Sequence, residues 1–298
     1  MAKLFILFAC VAGALSATVV DVLKTRREPT LLSLIQAAGL EQALSGDGPF
    51  TIFAPSETAF RRLGTSTLDA LKNDPAKLAE ILKYHVVPGI YSSGNLTVNE
   101  MMLDSLNQQK IRVNYYMYNK HIAVDGARVI SANFKASNGI VHIIDHVMMP
   151  PSGTIADILA SNPDLSTLKA AVDAAGLTSA LADGPYTLFA PKNSAFDRLG
   201  NDTVQALLGN TDLLQSILLY HVVHGTLYST GMHSGALHTL EAVDSERLVA
   251  SFGGYQVSVD GARVTSKDIS ATNGVIHIID HVLLPSSLKP AIANLMNP

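Results

Sequence analysis

The chain has 298 residues, 48% of them hydrophobic and 15% charged, with a formal net charge of −4. That balance is globular and excludes a disordered chain, which buries too little apolar surface to fold. Basic residues form no run beyond the isolated pairs Arg26-Arg27 and Arg61-Arg62, which excludes a groove built to neutralise a row of phosphates.

Residues 1–17 read as a signal peptide. Lys3 supplies the positive start, residues 4–11 an apolar run, and residues 12–17 small side chains for cleavage. A cut after Ser16 places Ala14 at the −3 position. The run is too short to cross a bilayer, which takes about 20 apolar residues. The single cysteine, Cys10, lies inside it, so the mature chain is expected to hold no thiol and to need no disulfide.

Everything downstream is written twice. GPFTIFAPSETAFRRLG at 48–64 returns as GPYTLFAPKNSAFDRLG at 184–200, identical at 11 of 17 positions. VDGARV at 124–129 returns unchanged at 259–264, and ASNGIVHIIDHVMMP at 136–150 returns as ATNGVIHIIDHVLLP at 271–285. The offset of 135–136 residues is too long for a solenoid repeat of about 20–50 residues and fits a whole domain. The expected layout is domain 1 over 18–150, domain 2 over 151–286 and a C-terminal tail over 287–298.

Each unit opens with helical patterning: Val19, Val20, Val22 and Leu23 before Pro29, and Ile155, Ile158 and Leu159 before Pro163. A second helix follows through Leu32, Ile35 and Leu40, or Leu168, Val172 and Leu177, with Gly39 and Gly176 placed as C-cap glycines. A Gly-Pro turn leads to a short strand, Phe50–Phe53 or Tyr186–Phe189. Pro55 and Pro191 end it, and Ser56 and Asn193 are placed to cap the next helix. Short helices run to Tyr-His-Val-Val in both copies, and β patterning fills 90–147 and 226–282. Helices first and strands afterwards predict an α+β domain. The tail, broken by Pro290, lacks the hydrophobic stretch of a lipid-anchor signal, so the expected product is soluble and extracellular.

Phe53-Ala54-Pro55-Ser56-Glu57-Thr58-Ala59-Phe60 and Phe189-Ala190-Pro191-Lys192-Asn193-Ser194-Ala195-Phe196 resemble the first signature block of fasciclin domains. Asn138-Gly139-Ile140-Val141-His142-Ile143-Ile144-Asp145 and Asn273-Gly274-Val275-Ile276-His277-Ile278-Ile279-Asp280 resemble the second, and Tyr84-His85 and Tyr220-His221 resemble the tyrosine–histidine element between them. The resemblance implies two tandem fasciclin-like domains, each a β-sandwich-like wedge flanked by helices, in a secreted cell-adhesion or extracellular-matrix protein. Animal matrix members of the family carry four such domains behind a cysteine-rich module. Two domains without mature cysteine depart from that plan.

His142, Asp145 and His146 recur as His277, Asp280 and His281, which invites a metal reading. In a strand, His142 and His146 stand about 13–14 Å apart, too far to share a zinc ion. His142, Asp145, His277 and Asp280 are therefore expected to be structural, with the aspartates accepting from nearby backbone or from Arg128 and Arg263. No metal and no cofactor is expected. Catalysis is not expected either: no nucleophile elbow, phosphate loop or dinucleotide fingerprint is present.

The receptor-contact candidates are Tyr84, His85, Tyr220, His221, Asp268 and Ile269. The resemblance implies that the tyrosine–histidine element belongs to an integrin-contacting surface; the alternative is that it ends a helix, with the ring in the core. The resemblance also makes Asp268-Ile269 similar to an Asp-Ile pair implicated in integrin recognition, where a carboxylate completes a bound cation's coordination. The first unit has Asn133-Phe134 there. The alternative is a turn aspartate and a core isoleucine. Asn95 and Asn201 head glycosylation tripeptides. Two linked weak sites gain avidity without new contacts, so the expected partner is an integrin-like cell-surface receptor or matrix protein. The alternative function is a soluble carrier of a small apolar ligand, a pigment or lipid.

Overall fold

The fold is that of a computed structural model, and the structure describes residues 17–232, 237–244, 246–253 and 256–296. The signal-peptide reading of residues 1–17 lies outside the described residues but for Ala17. Domain 1 opens with helices α1 (Val19–Arg26), α2 (Pro29–Ala37) and α3 (Glu41–Leu44). Thr18 and Asp21 close a reciprocal capping box on α1. Strand β1 (Phe50–Pro55) leads into α4 (Glu57–Leu63), α5 (Thr65–Lys72) and α6 (Pro75–Tyr84). Then come β2 (Val86–Pro88), β3 (Met101–Asp104), β4 (Lys110–Tyr116), β5 (His121–Val124), β6 (Ala127–Ala136) and β7 (Gly139–Ile144).

Domain 2 repeats the order. It has α7 (Ile155–Ser161), α8 (Ser166–Ala174), β8 (Tyr186–Pro191), α9 (Asn193–Asp197), α10 (Asn201–Leu208), α11 (Thr211–Tyr220) and β9 (Val222–His224). It continues with β10 (Leu237–Glu241), β11 (Arg247–Gly253), β12 (Gln256–Val259), β13 (Ala262–Ala271), β14 (Gly274–Ile279) and α12 (Lys289–Met296).

Each domain holds a seven-stranded sheet, β2-β1-β7-β6-β5-β4-β3 in the first and its mirror listing β10-β11-β12-β13-β14-β8-β9 in the second. β1 pairs with β7 in parallel and β8 with β14 likewise. Bulges in β6 and β13 break the register against β7 and β14, the device that bends a sheet. One side of the central pair meets the helices: Ile52, Ala54, Val141 and Ile143 join Val20, Leu34 and Ile81. The other side meets strands: Phe53 and Ile144 join Tyr84, Leu103, Ile111 and Val124. The central strands are thus buried on both faces, which is why they read as continuous apolar runs.

Three local expectations need correction. Asn193 does not cap its own helix: Lys192 holds that position without a side-chain bond. Asn193 Oδ1 instead accepts from Thr167 N–H at 3.0 Å, tying α9 to the start of α8. The strand carrying His142 stops at Ile144, so His146 follows it rather than sharing its face. The segment expected as a tail forms α12, and Ile292, 1% exposed, joins the domain 2 core.

The two domains meet through polar groups. Thr226 N–H and Oγ1 donate to Glu100 Oε1 at 2.7 and 2.6 Å. Arg112 pairs with Glu100 at 2.8 Å and donates to Thr272 O at 3.1 Å. Asn114 Nδ2 donates to Thr226 Oγ1, Tyr228 N–H to the Tyr116 hydroxyl, and Thr230 Oγ1 to Gly126 O. Arg112 and Thr226 are buried. Desolvated charge-assisted bonds of this kind are stronger than exposed ones, so the junction restrains the pair well beyond its short Pro150–Gly153 connection.

Candidate functional site

The tyrosine–histidine element is an internal brace. Helix α6 ends at Tyr84, which is fully buried and donates its hydroxyl to Asp125 Oδ2 at 2.5 Å and to Lys110 O at 3.0 Å. Tyr220 repeats this with Asp260 Oδ2 at 2.6 Å and Arg247 O at 3.1 Å. Burial raises both phenols above their ordinary value, and the carboxylate beside each adds to it. Burial also pushes Asp125 up to about 6.

His85 follows at the helix C-cap. Its Nδ1–H donates to Ile81 O at 2.8 Å, and its Nε2 accepts from Met148 N–H at 3.0 Å. His221 does the same with Ile217 O and Leu283 N–H at 2.7 and 2.8 Å. A carbonyl can only accept and an amide N–H can only donate, so each imidazole is held neutral in one tautomer. Burial lowers both to about 4. With exposures of 0% and 2% for Tyr84 and His85, and 4% and 1% for Tyr220 and His221, these four cannot face a partner while the domains stay folded. That corrects their reading as receptor contacts.

His142 and His277 stitch the central strand to two other segments. Their Nε2–H groups donate to Tyr91 O and Leu227 O, both at 2.8 Å. Their Nδ1 atoms accept from the N–H of Asn133 at 3.4 Å and of Asp268 at 3.2 Å. Each ring stacks on Phe53 or Phe189, with centroids 5.7 and 5.6 Å apart, and burial lowers both histidines.

Asn133 and Asp268 sit at equivalent bulge positions with φ of 66° and 62°, the left-handed region that Asn and Asp tolerate best. Asn133 Oδ1 accepts from Ser93 N–H at 2.9 Å and its Nδ2 donates to Ser93 Oγ at 2.8 Å. The Asp268 carboxylate accepts from Ser229 N–H at 2.7 Å and from the Ser229 hydroxyl. Asp268 and Ile269 are half-buried, and Ile269 packs against the domain 2 core.

Asp145 Oδ1 accepts from Arg128 N–H at 2.8 Å, and Asp280 Oδ1 from Arg263 N–H at 2.8 Å. His146 and His281 hold the same oxygens at 2.8 Å. These bonds outweigh burial and hold both carboxyls below the ordinary carboxylate value. Among the described residues no group of three His, Cys, Asp or Glu side chains could hold a metal ion.

Asn95 is exposed in a turn, whereas Asn201 opens α10 with Thr203 buried behind it. Sequence reasoning missed the junction cluster of Glu100, Arg112 and Thr226. Its only trace in the sequence is what fails to repeat: Tyr228 stands where the first unit has Ser92, and Thr226 where it has Ile90. Among the described residues the most exposed large apolar side chains form the tip between β4 and β5, Met117 at 81% and Tyr118 at 82%.

A profile of the Fasciclin domain matches residues 27–150 and 163–285. The chain is 34% identical over 253 residues to transforming growth factor-beta-induced protein ig-h3 of Sus scrofa, covering 84% of this chain and 37% of that protein. It is 33% identical over 260 residues to periostin of Homo sapiens, covering 86% and 31%. It is 46% identical over 135 residues to protein sll1483 of Synechocystis, covering 44% and 73%. A solved FAS1 domain pair from the insect cell adhesion molecule Fasciclin I covers 90% of this chain and 96% of that one, at 21% identity and a TM-score of 0.45. The chain spans about a third of the length of the two animal relatives, 37% and 31%.

Proposed function

The chain belongs to the fasciclin-domain family, and from that premise we propose that it is a secreted adhesion or matrix module that binds a receptor or matrix protein and performs no chemistry. The observation that carries this reading is the internal use of the repeated signature. Tyr84, His85, His142 and their domain 2 counterparts spend their polar atoms on backbone and carboxylate partners inside the fold, so recognition falls to outer surfaces. The apolar tip at Met117 and Tyr118 suits that role, because exposed aromatic and methionine side chains are common anchors at interfaces. Asp268 and Ile269 are the second candidate patch. Both glycosylation candidates, Asn95 and Asn201, are exposed, and the buried Thr203 of the second tripeptide makes Asn95 the better placed.

The carrier reading finds less support. The apolar cavity between α8, α11 and β8, lined by Leu168, Val172, Leu181, Tyr186 and Leu218, has a volume of about 40 Å³, room for a water or two rather than a pigment. Cell attachment to the purified protein tests the proposal. Attachment lost on Met117→Ser with Tyr118→Ser assigns the tip; loss on Asp268→Asn with the fold intact assigns the second patch. If the unaltered protein supports no attachment and captures no receptor or matrix protein, the adhesion reading falls. Colour or lipid that co-purifies with it favours the carrier.

A further inference from the structure

The chain holds two Asn-Gly pairs, Asn138-Gly139 and Asn273-Gly274, at the same turn of each domain. The fold demands both residues. A Cβ at Gly139 would stand 2.1 Å from Phe50 O, and one at Gly274 2.1 Å from Tyr186 O. The parallel pairing of β1 with β7 and of β8 with β14 therefore admits only glycine at the start of the later strand. The asparagine has to accept and donate at once. Asn138 Oδ1 takes Val19 N–H while its Nδ2 serves Leu44 O and Gly46 O. Asn273 Oδ1 takes Ile155 N–H while its Nδ2 serves Leu181 O and Asp183 O. An aspartate has no donor to offer there.

The dipeptide that the fold demands is chemically labile. The backbone nitrogen after an asparagine can attack the side-chain carbonyl carbon Cγ, and glycine, with no side chain, hinders that attack least. In domain 1 a bond forms between Gly139 N and Asn138 Cγ, the Cγ–Nδ2 bond breaks, and Nδ2 leaves as ammonia with the proton that the backbone nitrogen gives up. Solvent water then opens the five-membered imide at either carbonyl. The product is an aspartate, or an isoaspartate whose main chain runs through the former side chain.

The folded domain withholds this reaction. Attack requires the side chain to turn back over its own peptide, and a side chain pinned at three points cannot turn. The departing atom, Nδ2, is the one that two carbonyls hold. The residue before each asparagine is tied as well: Ser137 N–H donates to Ala17 O at 2.8 Å and Thr272 N–H to Gly153 O at 2.9 Å. Asn138 is 7% exposed.

We propose that Asn138 and Asn273 are sites of spontaneous deamidation, closed while their domain is folded and open once the segment at Val19 or Ile155 comes away, so that each domain records its own opening in a covalent change. The product cannot restore the lock. Aspartate lacks both donors and sets a negative charge beside carbonyl oxygens, and isoaspartate adds a backbone carbon where the chain enters β7 or β14. A domain marked once opens more readily afterwards. This inference concerns the chain's own chemistry and stands independently of the adhesion reading.

Peptide mass mapping of the purified full chain, incubated at mildly alkaline pH, tests it by following conversion of asparagine to aspartate and isoaspartate. In guanidinium, Asn138 and Asn273 should convert first among the asparagines. In the folded chain both should convert at least about tenfold more slowly, because only open molecules react. Val19→Pro removes the N–H that Asn138 accepts, at the first position of α1, where proline is tolerated. Conversion at Asn138 should then rise about fivefold, the effect of one lost hydrogen bond, while Asn273 in the same molecule keeps its rate. If Val19→Pro fails to fold, the unaltered chain decides: conversion at each asparagine should climb with guanidinium in step with the unfolding of its own domain, followed by hydrogen exchange. The converted chain should unfold at a lower midpoint than the unconverted one. Equal rates in folded and unfolded chains, a folded Val19→Pro variant with an unchanged rate at Asn138, or a converted chain as stable as the unconverted one overturns the proposal.

Discussion

The ring of Tyr228, fully buried, lies against the α-carbon of Gly126 across the domain junction, so that a Cβ added to Gly126 would sit 2.4 Å from Cδ1 and 3.0 Å from Cε1. The equivalent Gly261 has the same backbone, φ 83° against 80°, and open space around it. Alanine at either site pays the left-handed strain, on the order of 1 kcal/mol, and only Gly126→Ala also meets an aromatic ring. The expected outcome is that Gly126→Ala destabilises by about 1–3 kcal/mol more than Gly261→Ala, the range for overpacking. Urea unfolding of the two variants measures the difference, and equal losses would mean that the ring moves aside freely.

Stability should fall on mild acidification. His85 and His221 are held neutral in the fold, with values lowered from 6.5 to about 4. A depressed folded value means that the unfolded chain binds the proton first as pH drops. Their contribution is therefore fully present above about pH 6.5, is lost as pH falls from there to about 4, and stays lost below. Each histidine contributes a slope of about 1.4 kcal/mol per pH unit inside that window. His142 and His277 act in the same direction. Asp125, raised to about 6 by burial, opposes them, because its neutral form is favoured in the fold. Glu28 and Asp244, also raised by burial, oppose them too, whereas Asp145 and Asp280, held below the ordinary carboxylate value, add to the loss; the large downward shifts of His85 and His221 set the net direction. Unfolding at pH 7.5 and 5 should show the loss, and a smaller slope in His85→Gln; a flat profile would contradict the assigned tautomers.

The asparagine of the Asn-Gly turn ties the end of the sheet to the start of the chain. Asn138 Oδ1 accepts from Val19 N–H at 2.9 Å while its Nδ2 donates to Leu44 O at 2.9 Å and Gly46 O at 2.7 Å. Asn273 repeats the three-way bridge with Ile155, Leu181 and Asp183. Asn138→Asp keeps the shape but removes both donors and places a negative charge beside two carbonyl oxygens. The expected loss is about 2–4 kcal/mol in domain 1, from buried acceptors left unpaired and a poorly solvated charge. Thermal unfolding should show domain 1 shifted more than domain 2, and the reverse for Asn273→Asp.

Much of this was legible because duplication marks what each domain needs. The paired blocks located Phe53, His142, Asn138 and their partners, and alternation placed Val141 and Ile143 on a different side from His142. The short tyrosine–histidine pair was harder. Nothing local in Tyr84-His85 shows that the imidazole reaches Met148, 63 residues away. The junction was invisible for a different reason: Glu100, Arg112 and Tyr228 belong to only one copy each, so repetition gives them no mark. The tail misled because Pro290 reads as a break, whereas it lies in the first turn of α12, a position that proline tolerates.

The last expectation separates a brace from a contact at Asp268. In domain 1 the same bulge is held by Asn133, whose amide oxygen takes Ser93 N–H and whose amide nitrogen reaches Ser93 Oγ. A neutral amide therefore suffices for the architectural task, with the serine hydroxyl turning from donor to acceptor. Asp268→Asn should leave the unfolding midpoint of domain 2 nearly unchanged, within about 0.5 kcal/mol, while Asp268→Ala frees Ser229 and loses about 1–2 kcal/mol. Receptor binding that needs a carboxylate responds in the opposite way, since a bound cation distinguishes Asp from Asn as sharply as Asp from Ala. Attachment retained by Asp268→Asn would make Asp268 a brace alone. Attachment lost in Asp268→Asn with the fold intact would make its charge the contact, because Asn133 shows that the loop itself does not require it.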